Sequence, residues 1–187
     1  MTRFALLPLA FFANACADTE GFDDALTGSD TEVREMIELA DVNTERSSSA
    51  KKPAQARLVR MALARFGKET IAQGCEPVGA AFGTWKDNRY QYRGTMVDMN
   101  AKPFAAIKGY LSHDGYRDGE FNGLSVKSSD EAGRLTIEGD WHRGDIQADI
   151  FSTAYKQNHP MLSMTGSMKF NTNDGTGQFV ALISDCR

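Results

Sequence analysis

Between Cys75 and Cys186 one pattern keeps returning: a small residue set between large apolar residues two positions away on either side. The small residue falls at Ala80, Gly94, Gly109, Gly123, Gly139, Ser152, Gly166 and Ala181, at intervals of 14, 15, 14, 16, 13, 14 and 15. Spacing this regular marks a repeated supersecondary unit. The flanking pairs include Val78 and Phe82, Tyr92 and Met96, Ile107 and Leu111, Ile137 and Trp141, Met164 and Met168, and Phe179 and Ile183. Residues in the opposite register are mostly polar, as in Thr136, Glu138, Asp140 and His142. A strand with one buried and one wet face requires that alternation. The fourth and sixth units fit less well, with Ser125 and Ala154 where a large residue belongs.

Turn-forming residues separate the units: Asp87-Asn88, Asn100 to Pro103, His113 to Gly115, Glu131 to Gly133, Arg143-Gly144 and Asn173 to Gly175. A period near 14 leaves about nine residues for each strand and five for each turn, which suits hairpins. The expectation is a mainly β fold, an eight-stranded antiparallel meander barrel with a short helical N-terminal arm; a two-sheet β-sandwich is the alternative. Closure would set the first strand beside the last and make Cys75 and Cys186 neighbours able to form a disulfide. In that register Gly79, Ala81, Gly83, Val180 and Leu182 face outward and form a shallow apolar patch at the seam.

Four segments follow. Residues 1–15 read as a signal peptide and residues 16–53 as a tether containing a short helix and a linker. Residues 54–74 form an amphipathic helix docked on the barrel, and residues 75–187 the β-meander domain. In the tether, Val33, Met36, Ile37 and Ala40 lie at i, i+3, i+4, i+7, capped by Ser29, Asp30 or Thr31. The serine run Ser47 to Ser49 and Lys51-Lys52-Pro53 read as linker. In the longer helix Val59, Ala62, Leu63 and Phe66 make one face, widened by Leu58 and Met61, with Arg57, Arg60, Arg65 and Lys68 mostly opposite. That composition suits either a membrane surface or the domain's own sheet, and the seam patch favours the sheet.

Arg3, the apolar run Phe4 to Phe12 and Ala13-Asn14-Ala15-Cys16 have the layout of an export leader, too short to span a bilayer. This segment resembles the leader of bacterial lipoproteins, which implies cleavage before Cys16 and acylation of its sulfur. It departs from that pattern at Ala13, where Leu is usual, and at Asn14, where a small residue is usual. Ordinary cleavage after Ala15 or Ala17 is the alternative. With Cys16 acylated or removed, two of the three cysteines remain to pair, as an oxidising compartment permits. The expected location is therefore outside the cytoplasm, at the outer membrane or cell surface as a lipoprotein, or else periplasmic or secreted. The repeat region resembles, in layout, exported bacterial proteins built of glycine- and aromatic-bearing hairpins, and more distantly avidins and lipocalins. Glycine spacing alone carries that resemblance.

The chain has 21 Lys or Arg against 25 Asp or Glu, a net charge of −4 with both signs scattered, which argues against nucleic acid. No enzyme motif is complete. Gly123-Leu124-Ser125-Val126-Lys127 lacks the closing Gly of a nucleophile elbow, and Asn171 to Gly175 lacks the closing carboxylate of a calcium loop. His113, His142 and His159 form no short-range ligand pair. No catalytic residue, cofactor or metal is expected. A barrel interior of this size holds side chains or one small ligand. The candidate cavity at the small-residue waist is lined by Tyr92, Ile107, Phe121, Ile137, Trp141, Met164 and Phe179; the competing reading has aromatics filling it. Tyr110, Tyr116, Phe151, Tyr155 and Trp85 are candidates for an outward aromatic surface. The expected role is binding or envelope scaffolding without catalysis, with the membrane as partner through Cys16 and an envelope protein or glycan as a further one. The alternative is a carrier of a small apolar ligand or lipid.

Overall fold

The computed structural model describes residues 30–42, 44–86, 91–113, 118–128, 134–142, 144–152, 160–171 and 176–187. At 30, 110–113, 118–128, 134, 170 and 171 it describes the backbone alone. The leader and Cys16 lie outside these residues.

Two helices precede the strands. α1 spans Asp30–Ala40 and α2 spans Ser48–Ala72. The stripe Val33, Met36, Ile37 and Ala40 is buried as its spacing requires. α2 starts earlier than expected: residues 48–53, read as linker, form its opening turns, with Pro53 inside the helix. Pro53 removes one backbone donor and sits on the exposed side of the helix. Lys51 ties this turn down, its ammonium donating to the carbonyls of Thr44 at 2.7 Å and Val42 at 3.4 Å. Gln55 is buried and donates through Nε2 to the Ala40 carbonyl at 2.9 Å, satisfying an orphan acceptor at the end of α1. From residue 30 onward, the described part of the stretch read as tether and linker belongs to a packed helix pair.

α2 ends where Gly74, at φ 82°, turns the chain. The Gly74 N–H bonds to the Ile71 carbonyl at 3.0 Å and the Cys75 N–H to the Thr70 carbonyl at 3.1 Å, a Schellman arrangement. That cap delivers Cys75 directly to the first strand.

The strands are β1 (Glu76–Lys86), β2 (Gln91–Asp98), β3 (Pro103–His113), β4 (Asp118–Ser128), β5 (Arg134–His142), β6 (Asp145–Ser152), β7 (Leu162–Asn171) and β8 (Thr176–Asp185). The fold is mainly β: one curled antiparallel sheet in which sequence neighbours are sheet neighbours, with two helices. The strands belong to this single sheet, not to the two facing layers of a sandwich. β8 also pairs with β1, from Glu76↔Asp185 to Lys86↔Thr176. Cys75 and Cys186 flank that ladder and are disulfide-bonded across 111 residues of sequence.

Two cores lie on the two faces of the sheet. The inner one holds Trp85, Tyr92, Met96, Ile107, Ile137, Trp141, Ile146, Ile150, Met164, Met168, Phe179 and Ile183. The outer one joins α1 and α2 to Ala80, Phe82, Val97, Val180 and Leu182.

Three units differ from the repeat pattern, the fourth because the register of β4 against β5 shifts between Phe121 and Leu124, at the expected small centre Gly123. In β1 the register against β8 shifts between Pro77 and Gly79, so Val78 is an extra residue. A one-residue insertion exchanges the faces of everything beyond it. Ala81 and Trp85 therefore point into the inner core and Ala80 and Phe82 into the helix interface, the reverse of the expected assignment. In the sixth unit the small centre is Ala148, flanked by the buried Ile146 and Ile150 and paired with Gly139. Ser152 is instead the last residue of β6. The even interval is broken there by a tight connection before β6 and a long one after it.

The chain-entropy argument assigns a cross-link over a loop this long about 4 to 5 kcal/mol. Replacing Cys75 and Cys186 together by Ser should lower the guanidinium unfolding free energy by up to that amount. A loss below about 1 kcal/mol would mean that the β1–β8 ladder holds the chain ends without the bond.

Candidate functional site

Of the residues expected around the waist, Tyr92, Ile107, Ile137, Trp141, Met164 and Phe179 are all buried in the inner core, none more than 3 % exposed. The Phe121 side chain lies outside the described residues. What occupies the waist follows from the glycines. Gly83 pairs with Gly94 on one side and Phe179 on the other. A Cβ at Gly83 would stand 2.6 Å from Phe179 Cε1, and one at Gly94 would stand 2.9 Å from Cζ. Both glycines are therefore the floor under one aromatic ring. Tyr92 packs against the same ring, centroids 5.3 Å apart and planes tilted by 51°, and its hydroxyl donates to Met168 Sδ at 3.6 Å. Gly177 does for Trp85 what Gly83 does for Phe179: a Cβ there would meet the indole at 2.0 Å. Trp85, expected to point outward, fills the interior. Phe151, the other described member of the expected aromatic surface, is 9 % exposed. Tyr110, Tyr116 and Tyr155 lie outside the described side chains.

A polar cleft of about 270 Å³ that the sequence did not reveal opens where the end of α1 and the following loop cross β1 and β2. Ile37, Glu38, Asp41, Thr44, Arg46, Thr84 and Arg93 line it. Its centre is Asp41, 8 % exposed, whose carboxylate meets Arg93 Nε at 2.9 Å and accepts from Thr95 Oγ1 at 3.3 Å. Thr95 Oγ1 in turn accepts from the Val42 N–H at 3.2 Å. One carboxylate thus pins the helix pair to β2. Residues 41 and 95 share no short-range pattern, so nothing local in the sequence signals the contact.

Among the described residues no three His, Cys, Asp or Glu side chains gather as a metal site. His142 is exposed on β5, as its register implies. The side chains of His113 and His159 lie outside the described residues. Comparison with family models, curated proteins and solved structures finds no match.

Two outcomes test this geometry. Burial holds the Tyr92 phenol pKa well above its ordinary value. The unfolded chain therefore releases this proton first, and stability should fall as pH rises past about 10. Tyr92→Phe should make the fall between neutral and alkaline pH shallower; an identical fall in both proteins would place the phenol in contact with solvent. For the clasp, Asp41→Ala should cost about 2 kcal/mol in chemical denaturation, because it strips buried hydrogen bonds. Arg93→Ala should cost less, about 1 kcal/mol or under, since that side chain is 53 % exposed.

Proposed function

We propose that this chain is an exported, membrane-tethered binding or envelope-scaffold protein without catalysis, and that its curled sheet acts as a closed eight-stranded barrel. The observation that carries the reading is the Cys75–Cys186 bond at the β1–β8 seam. A structural disulfide between the first and last strands belongs to a compartment where thiols stay oxidised. It is also what the export leader read at residues 4–12 and Cys16 would require. The ladder from Glu76 to Lys86 against Asp185 to Thr176 supports closure.

The interior favours recognition on the outer surface. Phe179, Tyr92 and Trp85 occupy the space over the waist glycines, so the carrier of a small apolar ligand has less support than the surface binder. Labelling with a radioactive fatty acid, comparing the native chain with Cys16→Ser, tests the tether. Label on the native chain alone, recovered with envelope membranes, is the expected result. An unlabelled, soluble native chain outside the cytoplasm would remove the tether and keep export. A chain found in the cytoplasm with both cysteines reduced would end the reading altogether.

A further inference from the structure

The buried stripe of α2, with Leu58, Val59, Ala62 and Phe66, is spent on the sheet. On its opposite side Arg57, Arg60, Ala64, Lys68 and Ile71 follow one another at helical spacing, and every one is exposed, Ile71 at 60 %. Among the described residues, none of Arg57, Arg60 and Lys68 has an ion-pair or hydrogen-bond partner. Arg65 is different: it turns toward the fold, with its guanidinium 5.4 Å from the Phe66 ring centroid and under the field of Asp145. The helix holds six Lys or Arg and one Glu, a net of +5. The whole chain stands at −4, so everything outside the helix sums to −9. The overall charge conceals a strongly basic helix.

We propose that this face of α2 rests on an anionic lipid surface, Arg57, Arg60 and Lys68 among the headgroups and Ile71 entering the interface, and so orients the sheet domain on the membrane. The proposal deepens the reading of a tethered protein. A bilayer suits the face better than a nucleic acid does, because it offers the exposed Ile71 and Leu63 apolar surroundings that a nucleic acid lacks. Each basic residue near an anionic leaflet raises partitioning about fivefold, so three give about a hundredfold. That is weak for attachment. It is ample for choosing which side faces down once a tether keeps the domain close.

The mature chain with Cys16→Ser, which has no acyl acceptor, is mixed with vesicles of pure phosphatidylcholine or with about one-third phosphatidylglycerol. The expected result is at least about a tenfold preference for the anionic vesicles, lost near 0.5 M salt. Arg57→Gln/Arg60→Gln/Lys68→Gln should abolish the preference. Lys86→Gln/Lys102→Gln/Lys108→Gln, which removes three exposed charges elsewhere, should keep it. Circular dichroism and an intact disulfide establish that both variants are folded. No preference for anionic lipid, equal loss in the two variants, or equally strong binding to duplex DNA would overturn the proposal. Because no acyl group is present, a failed fatty-acid label at Cys16 would leave this result standing.

Discussion

The pairing of β1 with β8 is the contact on which the other features rest. Its inner side sets Gly83 beside Phe179 and Ala81 beside Ala181, which fixes the packing of the waist. Its outer side sets Phe82 beside Val180 and Ala80 beside Leu182, which makes the floor for α2. Its open end is held by Cys75 and Cys186. A slip of one residue would carry glycines to the helix interface and Phe82 into the interior, so register, core and helix docking are one constraint seen from three sides.

Much of this was legible in the sequence where a strand obeys plain alternation. In β2, β5, β7 and β8 the triplets around Gly94, Gly139, Gly166 and Ala181 face inward as their spacing implies. The sequence misled where backbone geometry intervenes. The extra Val78 in β1 is a bulge, which no residue pattern announces, and it exchanged the two faces of that strand. In β6 a near-constant interval drew the small centre to Ser152, although Ile146-x-Ala148-x-Ile150 is the better triplet. Unequal connections on the two sides of β6 had disguised it.

The site was less legible than the fold, for two physical reasons. The Asp41 clasp joins residues more than fifty positions apart, and a carboxylate near a run of serines looks like any solvated loop. The basic face was visible as Arg57, Arg60 and Lys68 opposite the apolar stripe of one helix, yet the pattern left open whether a membrane or the sheet takes that helix. Charge sums describe a chain, whereas a surface depends on which residues the docked face leaves outside.

The helices also have a part in bringing the sheet's first and last strands together. Those strands are 111 residues apart at the disulfide, and joining ends at that separation costs about 4 kcal/mol of loop entropy. Antiparallel pairing alone leaves Phe82, Val180 and Leu182 as an apolar strip on the outside of the seam. Covering such side chains is worth about 1.5 to 3 kcal/mol each, enough to offset the closure term. α1 and α2 provide the cover: Val33, Ile37, Leu58 and Phe66 pack in the same cluster as Phe82 and Leu182. Cys75 and Cys186 stand at the end of that ladder, so their disulfide and the burial beneath the helices hold the same seam. The segment that reads as a loose arm is, on this argument, part of what holds the sheet in its curled form.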